Sequence, residues 1–170
     1  MVKSRLLLVL ALVAGAVTGM LGGGASSRAS ELDGAGLHCA AMKLRHGLYT
    51  EGCAAVGSVQ DYTYIVGEGE ASAYRVVNKH RVPAREVLVR IAISEIYVNG
   101  YLGDSRGCAC SPAPYVQNST RFAEPRSRLS GNTAQAVVMY EVWSARETPW
   151  VLLDTYTVMS NVVVIPDIGA

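Results

Sequence analysis

The chain has 170 residues, half of them hydrophobic and 17% charged, with a formal net charge of +1. A balance that close to neutral argues against a nucleic-acid or polyanion partner, and the length allows one domain with one sizeable core. The chain shows no internal repeat and no low-complexity block beyond the Gly/Ser stretch of Gly22 to Ser27.

Residues 1–30 read as a targeting segment. Lys3 and Arg5 precede the apolar run Leu6 to Val13, and small residues follow through Gly22 to Ser27, the three-part layout of a secretory signal. The alternative is an uncleaved anchor, because Leu6 to Ala25 is uncharged over about the 20 residues that span a bilayer. Either reading puts residues 31–170 outside the cytoplasm, as a single secreted or extracytoplasmic domain. Without Lys3, Arg5 and Arg28 that domain carries twelve basic against fourteen acidic residues.

Four cysteines in an exported chain, Cys39, Cys53, Cys108 and Cys110, predict two disulfides. A Cys108–Cys110 bridge closes a ring across one residue. The expectation is therefore that each of these two reaches back to Cys39 or Cys53, while a Cys39–Cys53 pairing leaves the other two strained or free. Metal-ligand spacing is absent on the Cys39 to Cys53 side, so neither a metal nor any other cofactor is expected.

In chain order, Leu37 to Leu48 places Leu37, Ala40, Ala41, Leu44 and Leu48 on one face at helical spacing, which predicts one short N-terminal helix. From Asp61 the alternation of Tyr62, Tyr64 and Val66 signals a strand. Gly67-Glu68-Gly69-Glu70 supplies a turn into a second strand over Ser72 to Asn78. Pro83 separates that hairpin from the most apolar segment of the domain. There Val87, Val89, Ile91 and Ile93 share a face at strand period, and the apolar set resumes one residue out of phase at Ile96 and Val98, as a bulge or a second strand would produce.

Asn99-Gly100 is a tight-turn dipeptide. Ser111 to Gly131, with Pro112, Pro114 and Pro125, reads as a long surface loop. Gln135 to Trp143 and Trp150 to Met159 make a second hairpin, and Val162 to Ile165 a last short strand stopped by Pro166. These elements predict a mainly β fold: an antiparallel β-sandwich or small barrel of about six strands with the short helix, or alternatively an α+β arrangement.

Signals for chemistry are few. Gly103-Asp104-Ser105-Arg106-Gly107 resembles, over five residues, the Gly-Asp-Ser-Gly-Gly nucleophile loop of trypsin-like serine proteases, with Arg106 where that family has glycine. Bulk at that position disturbs the backbone of an oxyanion hole, so the segment is read as turn chemistry. His38, His46 and His80 have no partner at ligand spacing. Arg75, Lys79, Arg81 and Arg85 form, with His80 and Arg90, a basic cluster that fits either an anionic partner or a strand edge guarded by charge. Asn118-Ser119-Thr120 is a glycosylation acceptor if the source is eukaryotic, and Tyr115 and Phe122 are aromatics on a loop otherwise polar.

The function expected from these features is recognition without catalysis. The chain reads as an exported, disulfide-tied module that binds a protein, glycan or surface through Tyr115, Asn118 and Phe122 or through the basic cluster. A membrane contact is expected only if the N-terminal segment is uncleaved. The alternatives are a small secreted hydrolase using Ser105 or a histidine, and a membrane-anchored structural subunit of an envelope assembly.

Overall fold

The computed structural model describes residues 36–58, 64–108, 110–123 and 129–165. Residues 1–30, read from the sequence as a targeting segment, lie outside them. Among the described residues no helix is long and apolar enough to cross a membrane.

Strand-forming residues alternate through most of the described chain and fold into a sandwich of two antiparallel sheets. Sheet A holds β1 (His38–Lys43), β2 (Leu48–Ser58) and β3 (Tyr64–Val77) in that order. The far side of β3 is shared by β4 (His80–Pro83) and β7 (Tyr115–Ala123). Sheet B is centred on β5 (Val87–Val98) and β8 (Thr133–Ser144). Its β6 (Tyr101–Gly107) flanks β5, while β9 (Val151–Met159) and β10 (Val163–Val164) both flank β8. β3 packs over β5 and β2 over β8, so the edges β1 and β9 meet along one side.

Along β8 every second residue from Ala134 to Ser144 is buried, the pattern of a strand with one face on the core. Opposite it, sheet A places glycine where sheet B is bulky. A Cβ on Gly52 would lie 2.7 Å from Tyr140 Cε2, and one on Gly69 2.7 Å from Val138 Cγ1. Tyr140 is fully buried, stacks on Tyr156 at 5.2 Å between centroids, and donates its hydroxyl proton to the Cys53 carbonyl. A polar tip satisfied by backbone is what lets so large a phenol sit in the core.

Five expectations are corrected. The segment read as a helix is β1, a 3-10 turn at Arg45–Gly47 and the start of β2. Ala40, Met42 and Leu44, a period-two set within the same segment, pack on the core, and pairing with β2 outweighs the helical pattern. Gly67 to Glu70 is no turn: β3 runs straight through it, because these glycines serve close packing against Ile96 and Val138. The stretch Gly103 to Gly107 belongs to β6, and half of the expected long loop is β7, whose pairing with β3 supplies the order that its weak periodicity did not announce.

The last correction concerns the cysteines. Cys39 bonds Cys53, its direct register partner across β1 and β2 with Cα atoms 4.0 Å apart, and Cys108 bonds Cys110. Once His38–Lys43 forms a strand beside β2, the two N-terminal sulfurs face each other before either can reach β6.

The apolar core segment, the Asn99-Gly100 turn and the second hairpin are as expected. Asn99 and Gly100 take φ values of 49° and 80°, the left-handed pair of a two-residue hairpin. β5 is one strand, and its phase slip falls earlier than the apolar pattern placed it. The register with β8 shifts between Ile91 and Ile93, so Ser94 and Ile96 are buried while Ile93 turns partly outward.

Candidate functional site

Connections cluster at the end of the sandwich where β1 passes to β2 and β8 to β9. Between them lies a groove of about 730 Å³. One wall is the β1–β2 connection, Lys43 to His46, which reverses sharply because His46 and Gly47 take φ values of 60° and 69°. The other is Ser144, Arg146 and Glu147 with Leu152 to Asp154 of β9, entered after a cis Thr148-Pro149 bond. Leu44, Leu48 and Val87 provide the apolar floor, and Glu86 sits between the walls.

Glu86 is the electrostatic pivot. Its carboxylate, 17% exposed, accepts an ion pair from Arg75, with Arg146 3.9 Å away on the other side. By contrast Lys43, Arg45, Lys79 and Arg85, all exposed at this same end, make no ion pair among the described residues. Exposed apolar residues adjoin them: Leu152 and Leu153 in the groove, Trp150 and Val151 just before. The β9 edge thus combines hydrophobic exposure with a cationic surround.

The structure divides the basic cluster that the sequence presents. Arg75, Lys79 and Arg85 lie at the groove end. Arg81 turns to the outer face of sheet A, where it pairs with Glu51 at 2.7 Å and stacks over Tyr74, itself stacked on Tyr49. The Glu51 carboxylate, hydrogen-bonded to it, holds the Arg81 guanidinium above its ordinary pKa, and burial raises the Tyr74 hydroxyl. Arg90 binds Glu141 on the outer face of sheet B, where Trp143 also donates to Glu141. What reads in sequence as one patch is therefore three environments.

The loop residues fare differently from expectation, since they sit on a strand. Tyr115 is exposed at the start of β7. Phe122 is half-buried and packs against the second core cluster and Gly103. Asn118 is half-buried and shares the inward side of β7 with the buried Val116 and Thr120, and its carbonyl oxygen accepts the Ser119 amide. The three do not form one loop tip.

Ser105 lies on β6 and donates to Glu95 at 3.4 Å. The histidines are elsewhere, His38 on β1, His46 in the 3-10 turn and His80 opening β4, and the structure brings none of them to Ser105. Sulfur atoms of Cys39 and Cys53 come within 4.8 Å of a Glu51 oxygen, but the two sulfurs are bonded to each other and offer no thiolate pair to an ion.

Lys43, Arg45, Arg146 and Leu153 were not singled out by the sequence. Each is unremarkable where it stands in the chain, and only the convergence of two distant connections gives it neighbours. No family model, curated protein or solved structure matches this chain.

Proposed function

We propose that this protein is an exported binding module that takes an extended, acidic and partly apolar peptide segment of a protein partner into the groove between the β1–β2 and β8–β9 connections. One observation carries the reading: unpaired cationic side chains surround exposed Leu152 and Leu153 at a loop-built end whose two walls are rigidly held by paired strands. Loops on a sandwich scaffold are where such folds carry recognition. Apolar contacts would supply affinity, and Lys43, Arg45 and Arg85 would select for carboxylates and raise the encounter rate. β1 and β9 are both sheet edges, so an extended segment has backbone groups to pair with. Two disulfides support export to an oxidising compartment.

Selection from a displayed library of random peptides tests the proposal. Enriched sequences should carry Asp or Glu beside large apolar residues, and Arg45→Glu or Leu153→Glu should weaken their binding roughly tenfold with the fold intact by circular dichroism. Enrichment of basic or uncharged sequences, or binding indifferent to both substitutions, would overturn it.

A further inference from the structure

The two disulfides differ in what they hold. Cys39–Cys53 ties an edge strand to its neighbour with 14 residues of sequence separation. Cys108–Cys110 closes a ring across a single residue, and both its cysteines are partly exposed. So small a ring removes little freedom from the unfolded chain, since loop-closure entropy grows with loop length, and it joins no two elements.

The flanks of this bridge are held independently of it. The Cys108 amide donates to the Ala92 carbonyl at 3.2 Å, Ala113 and Val89 exchange both of their backbone hydrogen bonds, and the Ala73 amide donates to the Pro114 carbonyl. Opening the bridge would leave both sulfurs on a segment still pinned to β5 and β3, near enough to close again. A second feature distinguishes the sulfurs from each other. The Cys110 amide points at Cys108 Sγ, 3.3 Å away, and an N–H donor at sulfur favours the thiolate over the thiol.

From these observations we infer that Cys108–Cys110 is a redox-active pair that exchanges with dithiols of exported chains. A thiolate of a substrate dithiol attacks Cys110 Sγ. The Cys108–Cys110 bond breaks, and Cys108 leaves as the thiolate that the Cys110 amide stabilises. The second thiolate of the substrate then attacks its own sulfur in the mixed disulfide, releasing Cys110 as a thiolate. Two electrons pass from the substrate to the protein, the substrate gains a disulfide, and the two protons lost from its thiols are available to the two cysteines. Low thiol pKa speeds departure, which is why the amide contact sets the direction of attack.

The oxidised full domain is equilibrated with graded glutathione buffers, alkylated and peptide-mapped, and separately mixed one to one with a synthetic Cys-Gly-Gly-Cys peptide dithiol. Cys108 and Cys110 should become alkylated at a glutathione concentration roughly tenfold below that which opens Cys39–Cys53, with the thermal midpoint falling less than when Cys39–Cys53 opens. The peptide should be oxidised in proportion to protein, and acid quenching should catch it on Cys110. A Cys108→Ala and Cys110→Ala double variant, with the remaining bridge intact, should leave the peptide reduced. Simultaneous opening of both bridges, peptide that stays reduced with the native protein, or a mixed disulfide on Cys108 would overturn the assignment.

Discussion

Gly52 sits where the two sheets come closest around a tyrosine pair. A methyl group there would meet Tyr140 Cε2 at 2.7 Å and the Tyr156 hydroxyl at 2.8 Å. Both rings are held by their own packing, so Gly52→Ala should cost about 1–3 kcal/mol as overpacking does, read by denaturant unfolding. The same pair makes stability depend on pH at the alkaline end. Burial pushes the Tyr156 hydroxyl up to about 12 from an ordinary 10.0, and the more deeply buried Tyr140 higher still. Because the folded state keeps protons that the unfolded chain has lost, this stabilisation is complete below pH 10 and disappears as pH rises through 12. Unfolding free energy should fall by about 2–3 kcal/mol between pH 9 and 11 for the two hydroxyls together, and Tyr156→Phe should remove about half of that fall. The Tyr156 hydroxyl and Thr50 Oγ1 lie beside one another without meeting in good hydrogen-bond geometry, so removing this hydroxyl leaves no strong bond broken.

Among the elements, β1 depends most on a covalent tie. It is an edge strand of six residues, largely exposed, with only Ala40 and Met42 against the core. Replacing Cys39 and Cys53 together by alanine should destabilise by about 3 kcal/mol, the value of a closed loop of about 15 residues in the chain-entropy model. The fall in thermal midpoint measures it. The same exchange at Cys108 and Cys110 should cost about half as much, roughly 1.5 kcal/mol for so small a ring in the same model. Two edges carry a local guard: in β7 and β9 an Asx side chain, Asn118 and Asp154, accepts the amide of the next residue. That closes one backbone donor on each exposed edge to accidental pairing. Asp154→Ala should therefore raise the tendency of β9 to self-associate, seen as a concentration-dependent increase in apparent mass by light scattering.

At the scale of the molecule, charge is unevenly placed although the total is near zero. The groove end concentrates unpaired cations, while Glu51, Glu86 and Glu141 are each committed to an arginine. Binding of an acidic peptide there should weaken roughly fivefold between about 0.05 and 0.5 M NaCl, because exposed charges beyond a Debye length are screened. Titration by fluorescence at Trp150, 45% exposed beside the groove, reads that dependence.

The β class, the apolar strand from Val87, the Asn99-Gly100 hairpin and the β8–β9 pair were legible in the residues, since each rests on short-range alternation and turn chemistry that the chain carries locally. What stayed illegible was long-range. Leu37 to Leu48 satisfies both a helical and a strand period, and only β2 lying alongside selects the strand. Gly67 and Gly69 look like a turn until Ile96 and Val138 from the other sheet press on them. Cysteine pairing followed from that same choice of strand, and the groove from two connections about a hundred residues apart in sequence meeting at one end. Periodicity thus determined which segments are strands and which faces are apolar. Register and sheet stacking, which depend on partners distant in the chain, decided which sulfurs bond and which charges stand together.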